Sequence, residues 1–214
     1  MMACEEAWLL GAAIRTIDPQ ATLILGPVPS TGRDEVFTNP ANGKTTFTIK
    51  AEKVPNAAGI RRVIDMLGGP SATFDDVLAN KGNLAGLRGG WIVGGYLSNW
   101  LPLDLPALSI GGFRVIQDIL PNALTSRADV VLPAAAWAEK EGCWENYQGR
   151  IQAFAAAVAP LEGARREGDV YYKMLGRTGM YNADAVRKEM GEPFAAVTLP
   201  GEEAHEAAPQ FAEL

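Results

Sequence analysis

The chain has 214 residues, 48% of them hydrophobic and 21% charged, with a formal net charge of -6 at pH 7. That length allows one substantial domain, or a domain with an appendage, around a full core. The acidic balance and the lack of a basic stripe exclude nucleic acid as the expected partner. No stretch reaches the ~18 consecutive apolar residues of a membrane-spanning helix, and the start, Met1-Met2-Ala3-Cys4-Glu5-Glu6, lacks the basic region of a secretory signal.

Residues 5–16 place Ala7, Leu10, Gly11 and Ile14 at helical spacing, with Trp8 and Leu9 beside them, and Asp18-Pro19 ends the pattern. Residues 21–25 are a short apolar run stopped by Gly26-Pro27, as in a buried strand. Residues 26–46, rich in Pro, Gly, Asn, Asp and Thr, read as a long loop with Asn39-Pro40 and Asn42-Gly43 as turn formers. Phe47-Thr48-Ile49 alternates apolar and polar and reads as a strand. Asn56 is placed as the N-cap of a helix with Ile60, Val63, Ile64 and Leu67 on one face, ended by Gly68-Gly69-Pro70. Thr73 is placed as the cap of the next helix, which carries Phe74, Val77 and Leu78, with Asp75 and Asp76 at its positive end.

Trp91-Ile92-Val93 reads as a strand closed by Gly94-Gly95. Residues 113–118 read as another strand, and residues 128–132 as the last buried strand, stopped by Pro133. Residues 169–175 and 182–190 read as helices, followed from Pro193 by an acidic, Ala/Pro-rich tail expected to be mobile. Apolar strands alternating with helices predict an α/β fold with a doubly wound, mainly parallel sheet. The expected division is an α/β domain over residues 1–160, a helical extension over 161–192 and the tail over 193–214.

Catalytic residue types are sparse. Cys4 and Cys143 are the only cysteines, too few for an iron–sulfur cluster or a structural zinc site from this chain alone; free thiols are expected in preference to a disulfide. His205, the single histidine, lies in the acidic tail, leaving no place for a Ser-His-Asp or Cys-His arrangement. The glycines of residues 89–95 bracket a strand, whereas a dinucleotide-binding G-x-G-x-x-G opens a helix, so tight turns are the expected role. Arg61-Arg62 and Arg165-Arg166 read as solvated helix faces. Glu139 and Glu141, on either side of Lys140, read as an exposed ion-pair face in preference to an acid–base pair.

Residues 128–152 carry a more specific pattern: Val130-Val131-Leu132-Pro133, then Glu139-x-Glu141-Gly142, Asn146, and Gly149-Arg150-x-Gln152. This run resembles a signature of the molybdopterin oxidoreductase superfamily, and within it the large iron–sulfur subunit of bacterial NADH:quinone oxidoreductase (respiratory complex I). Supporting resemblance comes from residues 4–10, 25–29 and 51–56, and extends to about residue 175. The chain departs from the family pattern at Cys143-Trp144, where small or hydroxyl residues are usual. It also lacks the cysteine-rich module that precedes this region in the family. A fragment of a longer gene product or a split subunit is therefore expected.

The resemblance implies candidate positions. A Gly-rich turn at the comparable strand lies near the cofactor nucleotide in the family, which makes Gly94, Gly95 and Asn99 candidates. Gln117, Asp118 and Thr125 stand at the carboxyl end of a strand, where ligands collect in open α/β sheets, and residues there help hold the pterin in the resembling enzymes. Asn146 and Arg150 belong to the signature itself; Arg150 is suited either to a bidentate phosphate contact or to anchoring its turn to a neighbouring carboxylate. The complex I members generally lack the molybdenum cofactor, so no catalytic residue, metal ligand or redox centre is expected within this chain, and iron–sulfur clusters are expected elsewhere in the complex.

The implied role is a structural segment of the electron-transfer arm of NADH:quinone oxidoreductase. Its partners would be other peripheral-arm subunits or the missing N-terminal part of the same subunit, on the cytoplasmic face of the inner membrane. The alternatives are part of a formate dehydrogenase-like enzyme binding molybdopterin guanine dinucleotide, or a stand-alone interaction domain with the same fold.

Overall fold

The computed structural model describes residues 2–79, 87–96 and 112–200. The expected acidic tail beyond residue 200, with His205, and the candidate Asn99 lie outside the described residues.

Helix α1 (Cys4–Ile17) is the hub of the molecule. It buries Cys4, Ala7, Leu9 and Ala13, and α2 (Ala57–Leu67) packs along it through Val63. The helix axes come close because Gly11 carries no side chain: a Cβ there would overlap Leu67 Cδ1. From the far end of the chain, α4 (Glu167–Met174) and α5 (Ala183–Met190) add Tyr171, Ala183, Val186 and Met190 to the same core, which Tyr181 and Phe194 complete. Residues 161–192 therefore share one apolar core with the N-terminal helix.

Two short strands, β1 (Leu23–Ile24) and β4 (Ser71–Ala72), pair in parallel. Between them lies the first difference from the sequence reading. The polar stretch that reads as a long loop contains strand β2 (Glu35–Thr38), which pairs antiparallel with β3 (Thr45–Ile49). Its turn formers close this hairpin: Asn39 N donates to Lys44 O at 2.8 Å, and Asn42 Oδ1 accepts from Lys44 N at 3.0 Å. Phe37 and Phe47 stack across the ladder with ring centroids 4.6 Å apart. The composition masks a strand because both faces of the hairpin are solvent-exposed, so no hydrophobic alternation is required of it.

Asn56 occupies the N-cap of α2 as expected, but its side chain does not cap. Its Oδ1 accepts from Glu145 N at 2.8 Å and from the Cys4 thiol at 3.4 Å, while Nδ2 donates to Met2 O at 2.9 Å. A residue expected to cap locally is a tertiary tie among three segments. Thr73 does cap α3 (Phe74–Leu78): its Oγ1 accepts from Asp76 N at 3.1 Å.

The fold is α/β with a parallel sheet at its centre. Strands β5 (Gly89–Val93), β6 (Phe113–Asp118) and β7 (Val130–Pro133) lie parallel in that order, with Val93 beside Gln117 and Asp118 beside Pro133. Ile116 and Leu124 are the buried residues of its smaller core, against Phe74 and Ile92. Strand β7, expected to be buried, is the outer strand among the described residues, and Val131 is 46% exposed. It is also not the last strand: β8 (Gly142–Glu145) and β9 (Ile151–Phe154) follow as an antiparallel hairpin seated on α1 and α2. The Asn146 to Arg150 part of the signature is the turn of that hairpin.

Candidate functional site

Parallel strands end on the same side of their sheet, and the loops leaving β5 and β6 meet there. Asp118, the last residue of β6, organises them. Its Oδ1 accepts from Gly95 N and from Ile119 N, each at 2.8 Å, and its Oδ2 accepts from Asn122 Nδ2 at 2.7 Å. Gly94 N donates to Gln117 O at 2.8 Å. A Cβ on Gly94 would overlap the Asp118 carboxylate, and Gly95 has φ 117, so both glycines are required by the turn itself.

Thr125 extends this knot. Its hydroxyl accepts from Asn122 N and donates to Asn122 O, both at 2.9 Å. Asn122 Oδ1 in turn accepts from Leu124 N at 2.9 Å. Gly94, Gly95, Asp118 and Thr125 are thus brought together, Gly95 bonding Asp118 directly and Thr125 joining it through Asn122.

Gln117 points the other way. It is fully buried, and its Oε1 accepts from the Tyr171 hydroxyl at 2.6 Å and from Trp91 Nε1 at 3.3 Å. Trp91 and Tyr171 meet edge to face with centroids 5.8 Å apart. Gln117 therefore ties α4 to the parallel sheet, and burial pushes the Tyr171 hydroxyl well above the usual tyrosine range.

Asn146 and Arg150 lie elsewhere, at the tip of the β8–β9 hairpin. Asn146 Oδ1 accepts from Gln148 N at 2.9 Å and Arg150 N at 3.0 Å, closing the turn, and Gly149 takes φ 78. The Arg150 side chain is exposed and makes no ion pair among the described residues, so it does not anchor the turn to a carboxylate. The backbone and Asn146 hold that turn.

The largest departure from the sequence reading is at residues 139–141. Glu139 and Lys140 are buried, and Glu141 is partly so. Glu139 accepts from Ala136 N at 2.6 Å and Leu161 N at 2.9 Å, and Glu141 accepts from Ala183 N at 3.0 Å. Lys140 Nζ lies 2.6 Å from Glu167 Oε1 and 3.2 Å from Glu6 Oε2, with no solvent exposure. Burial draws the Lys140 ammonium down, but the two carboxylates outweigh it and hold the pKa above the ordinary lysine value. Glu5 and Arg187 form a second buried pair at 2.7 Å. Burial raises the Glu5 carboxyl against the opposing pull of its hydrogen bonds and of Arg187. Arg62, read as a solvated charge, makes two bonds to buried Glu145, at 2.7 and 2.5 Å.

These ions join segments far apart in sequence, so local spacing could not disclose them. The signal present was Glu5-Glu6 at the start of an otherwise apolar helix, a charge pair on a face with no solvent-facing pattern.

Cys4 and Cys143 are both free and buried in the main core. The neighbouring Cys4 thiol, burial and the nearby Glu5 push the Cys143 thiol far up, so it remains protonated and inert. No group of three or more His, Cys, Asp or Glu residues suited to a metal exists among the described residues. The Asp118 carboxylate is directed at its own loops, and the space beside Gly94 is filled by it.

Comparison with known proteins is consistent with this architecture. Residues 111–177 match the molybdopterin oxidoreductase family. The chain is 39% identical over 87 residues to the G subunit of the NADH-quinone oxidoreductase of Streptomyces coelicolor, covering 41% of this chain and 10% of that protein. It is 40% identical over 73 residues to the alpha subunit of the F420-dependent formate dehydrogenase of Methanocaldococcus jannaschii, covering 34% of this chain and 11% of that one. A nitrate reductase of Symbiobacterium thermophilum is 42% identical over 67 residues, 31% of this chain and 9% of that protein. The chain spans about a tenth of the length of these relatives.

Proposed function

We propose that this chain, which carries a molybdopterin oxidoreductase segment over residues 111–177, is a structural segment of the large iron–sulfur subunit of an NADH:quinone oxidoreductase. It has no redox centre of its own and packs against the rest of that subunit or its neighbours in the electron-transfer arm. The observation that carries this reading is the Asp118 carboxylate, which accepts hydrogen bonds from Gly95 N, Ile119 N and Asn122 Nδ2 of its own loops. At the position where an α/β sheet presents groups to a ligand, this carboxylate is taken up by its own loops.

Two surfaces support a role inside a larger assembly. A parallel sheet is normally covered on both faces, yet Phe113, Val130 and Val131 are exposed at 57%, 36% and 46%. The β2–β3 hairpin likewise presents Val36, Phe37, Phe47 and Ile49 to solvent. Exposed apolar patches of this kind mark contacts with other protein surfaces. No helix among the described residues is long and apolar enough to cross a membrane, so this segment would sit at the membrane through its partners.

A second reading makes the chain part of a formate dehydrogenase-like enzyme, with the pterin guanine dinucleotide held near Gly94, Gln117 and Asp118. It is favoured by the formate dehydrogenase relative's similar identity. The assembly isolated from cells by an antibody against residues 128–152 distinguishes the two. Iron without molybdenum, tungsten or pterin supports the first reading; molybdenum or tungsten with a pterin supports the second.

A further inference from the structure

Beyond any role in an assembly, the interior of this fold contains more negative than positive charge at one point. Glu6 on α1, Glu167 at the start of α4 and Lys140 between β7 and β8 are each at most 1% exposed. One ammonium faces two carboxylates, at 2.6 and 3.2 Å. The two oxygens it contacts are thus no farther apart than those two distances laid end to end. The neighbouring cations are committed elsewhere, Arg187 to Glu5 and Arg62 to Glu145.

Two further atoms bear on the charge state. Glu6 Oε1 and Glu167 Oε2 are buried, and neither has a hydrogen-bonding partner. The two carboxylates are not equivalent. Glu6 Oε2 also accepts from Ala3 N at 2.7 Å. Glu167 shares its bonded oxygen with Lys140 alone among side chains.

We propose that a proton resides in this cluster, carried by Glu167 and shared with Glu6, so that two carboxylates and one lysine are held in the core without net charge. A carboxyl proton also reduces the cost of leaving Glu6 Oε1 and Glu167 Oε2 buried without a hydrogen-bonding partner, since a neutral carboxyl is less penalised there than a carboxylate. Burying an uncompensated charge is disfavoured more strongly than taking a proton from water near neutrality. Burial and the nearby Glu6 push the Glu167 carboxyl up to about 7, against the pull of Lys140. The other titratable groups facing the cluster are Tyr171 on α4 and Tyr181 ahead of α5, the latter also within the field of Glu5, Glu141 and Arg187. Both tyrosine hydroxyls are raised well above their usual range and stay neutral.

Linkage fixes the sign. In the unfolded chain Glu167 titrates near its ordinary value of 4.5, and in the folded chain near 7. The folded state therefore binds more protons between those values, and its stability falls as pH rises through that window. The protonated cluster contributes fully below the lower value and is lost above the higher one. A separation of this size corresponds to a change in the folding equilibrium constant on the order of a hundredfold.

Urea unfolding of the full 214-residue chain between pH 5 and 8, with Glu167→Gln beside it, tests the proposal. Glutamine imitates the protonated carboxyl, so the variant should lack this hundredfold component and exceed the wild type in stability at pH 8. The infrared band of a neutral carboxyl at pH 6 should be present in the wild type and reduced in Glu167→Gln. The variant difference separates it from Glu5, whose carboxyl burial also raises. Should Glu167→Gln fail to fold, Glu6→Gln is read the same way, because removing the excess carboxylate removes the need for the proton. A pH profile and a neutral-carboxyl band unchanged in the folding variant would overturn the proposal.

Discussion

Arg187 Nη1 lies 2.7 Å from Glu5 Oε1, joining the last described helix to the first across 182 positions of sequence, with both side chains at most 3% exposed. Glu5 Oε2 accepts at the same time from Cys143 N at 2.8 Å, so one carboxylate holds α5 and β8 against α1. Removing the guanidinium would leave a buried carboxylate without its counter-ion. Arg187→Leu should therefore cost about 3–5 kcal/mol, read as a loss of urea midpoint at unchanged slope. A shift no larger than that of a surface charge deletion would contradict the pairing.

Asp118 leads to a second expectation. Asp118→Ala withdraws the acceptor from Gly95 N, Ile119 N and Asn122 Nδ2. With unsatisfied buried donors at about 1–3 kcal/mol each, the loops at the ends of β5 and β6 should loosen, seen as faster amide exchange at 94–95 and 119–125. Gly94→Ala should destabilise the same turn by about 1–3 kcal/mol through overpacking against the carboxylate. Unchanged exchange in both variants would remove Asp118 as the organiser.

Asn56→Ala separates a tie from a cap. A lost N-cap costs typically about 1 kcal/mol. Asn56 instead serves Glu145 N, the Cys4 thiol and Met2 O, so a loss of about 2–4 kcal/mol is expected. A value at the level of a cap would mean that these contacts are of little consequence.

Arg150→Ala has the opposite outlook. The side chain is exposed without an ion pair among the described residues, and the turn is closed by Asn146. Its unfolding midpoint should match the wild type within the scatter of surface substitutions, whereas Asn146→Ala should lower it. A marked loss in Arg150→Ala would restore the anchoring role that the sequence pattern implies.

The helices and parallel strands were legible because burial imposes a period on sequence. Val63 and Leu67 mark the core side of α2, and Val115-Ile116 an interior strand. The hairpin of β2 and β3 was not legible, since a strand exposed on both faces needs no alternation. The candidate positions Gly94, Gly95, Asp118 and Thr125 do converge, because strand ends in a parallel sheet must. What each atom is bonded to depends on loop geometry that sequence spacing does not encode. The burial of Lys140 was hidden for a related reason: Glu-Lys-Glu is ordinary on a surface, and only the arrival of Glu6 and Glu167 from distant helices makes it an interior cluster.

The most direct measurement of the proposed role is the mass and activity of the native assembly that contains this segment, captured under non-denaturing conditions with the antibody against residues 128–152. A structural segment of the large iron–sulfur subunit should be recovered in a multi-subunit complex that contains iron, oxidises NADH and lacks pterin. A molybdenum- or tungsten-bearing formate-oxidising complex, or a free protein near 22.8 kDa, would contradict that role.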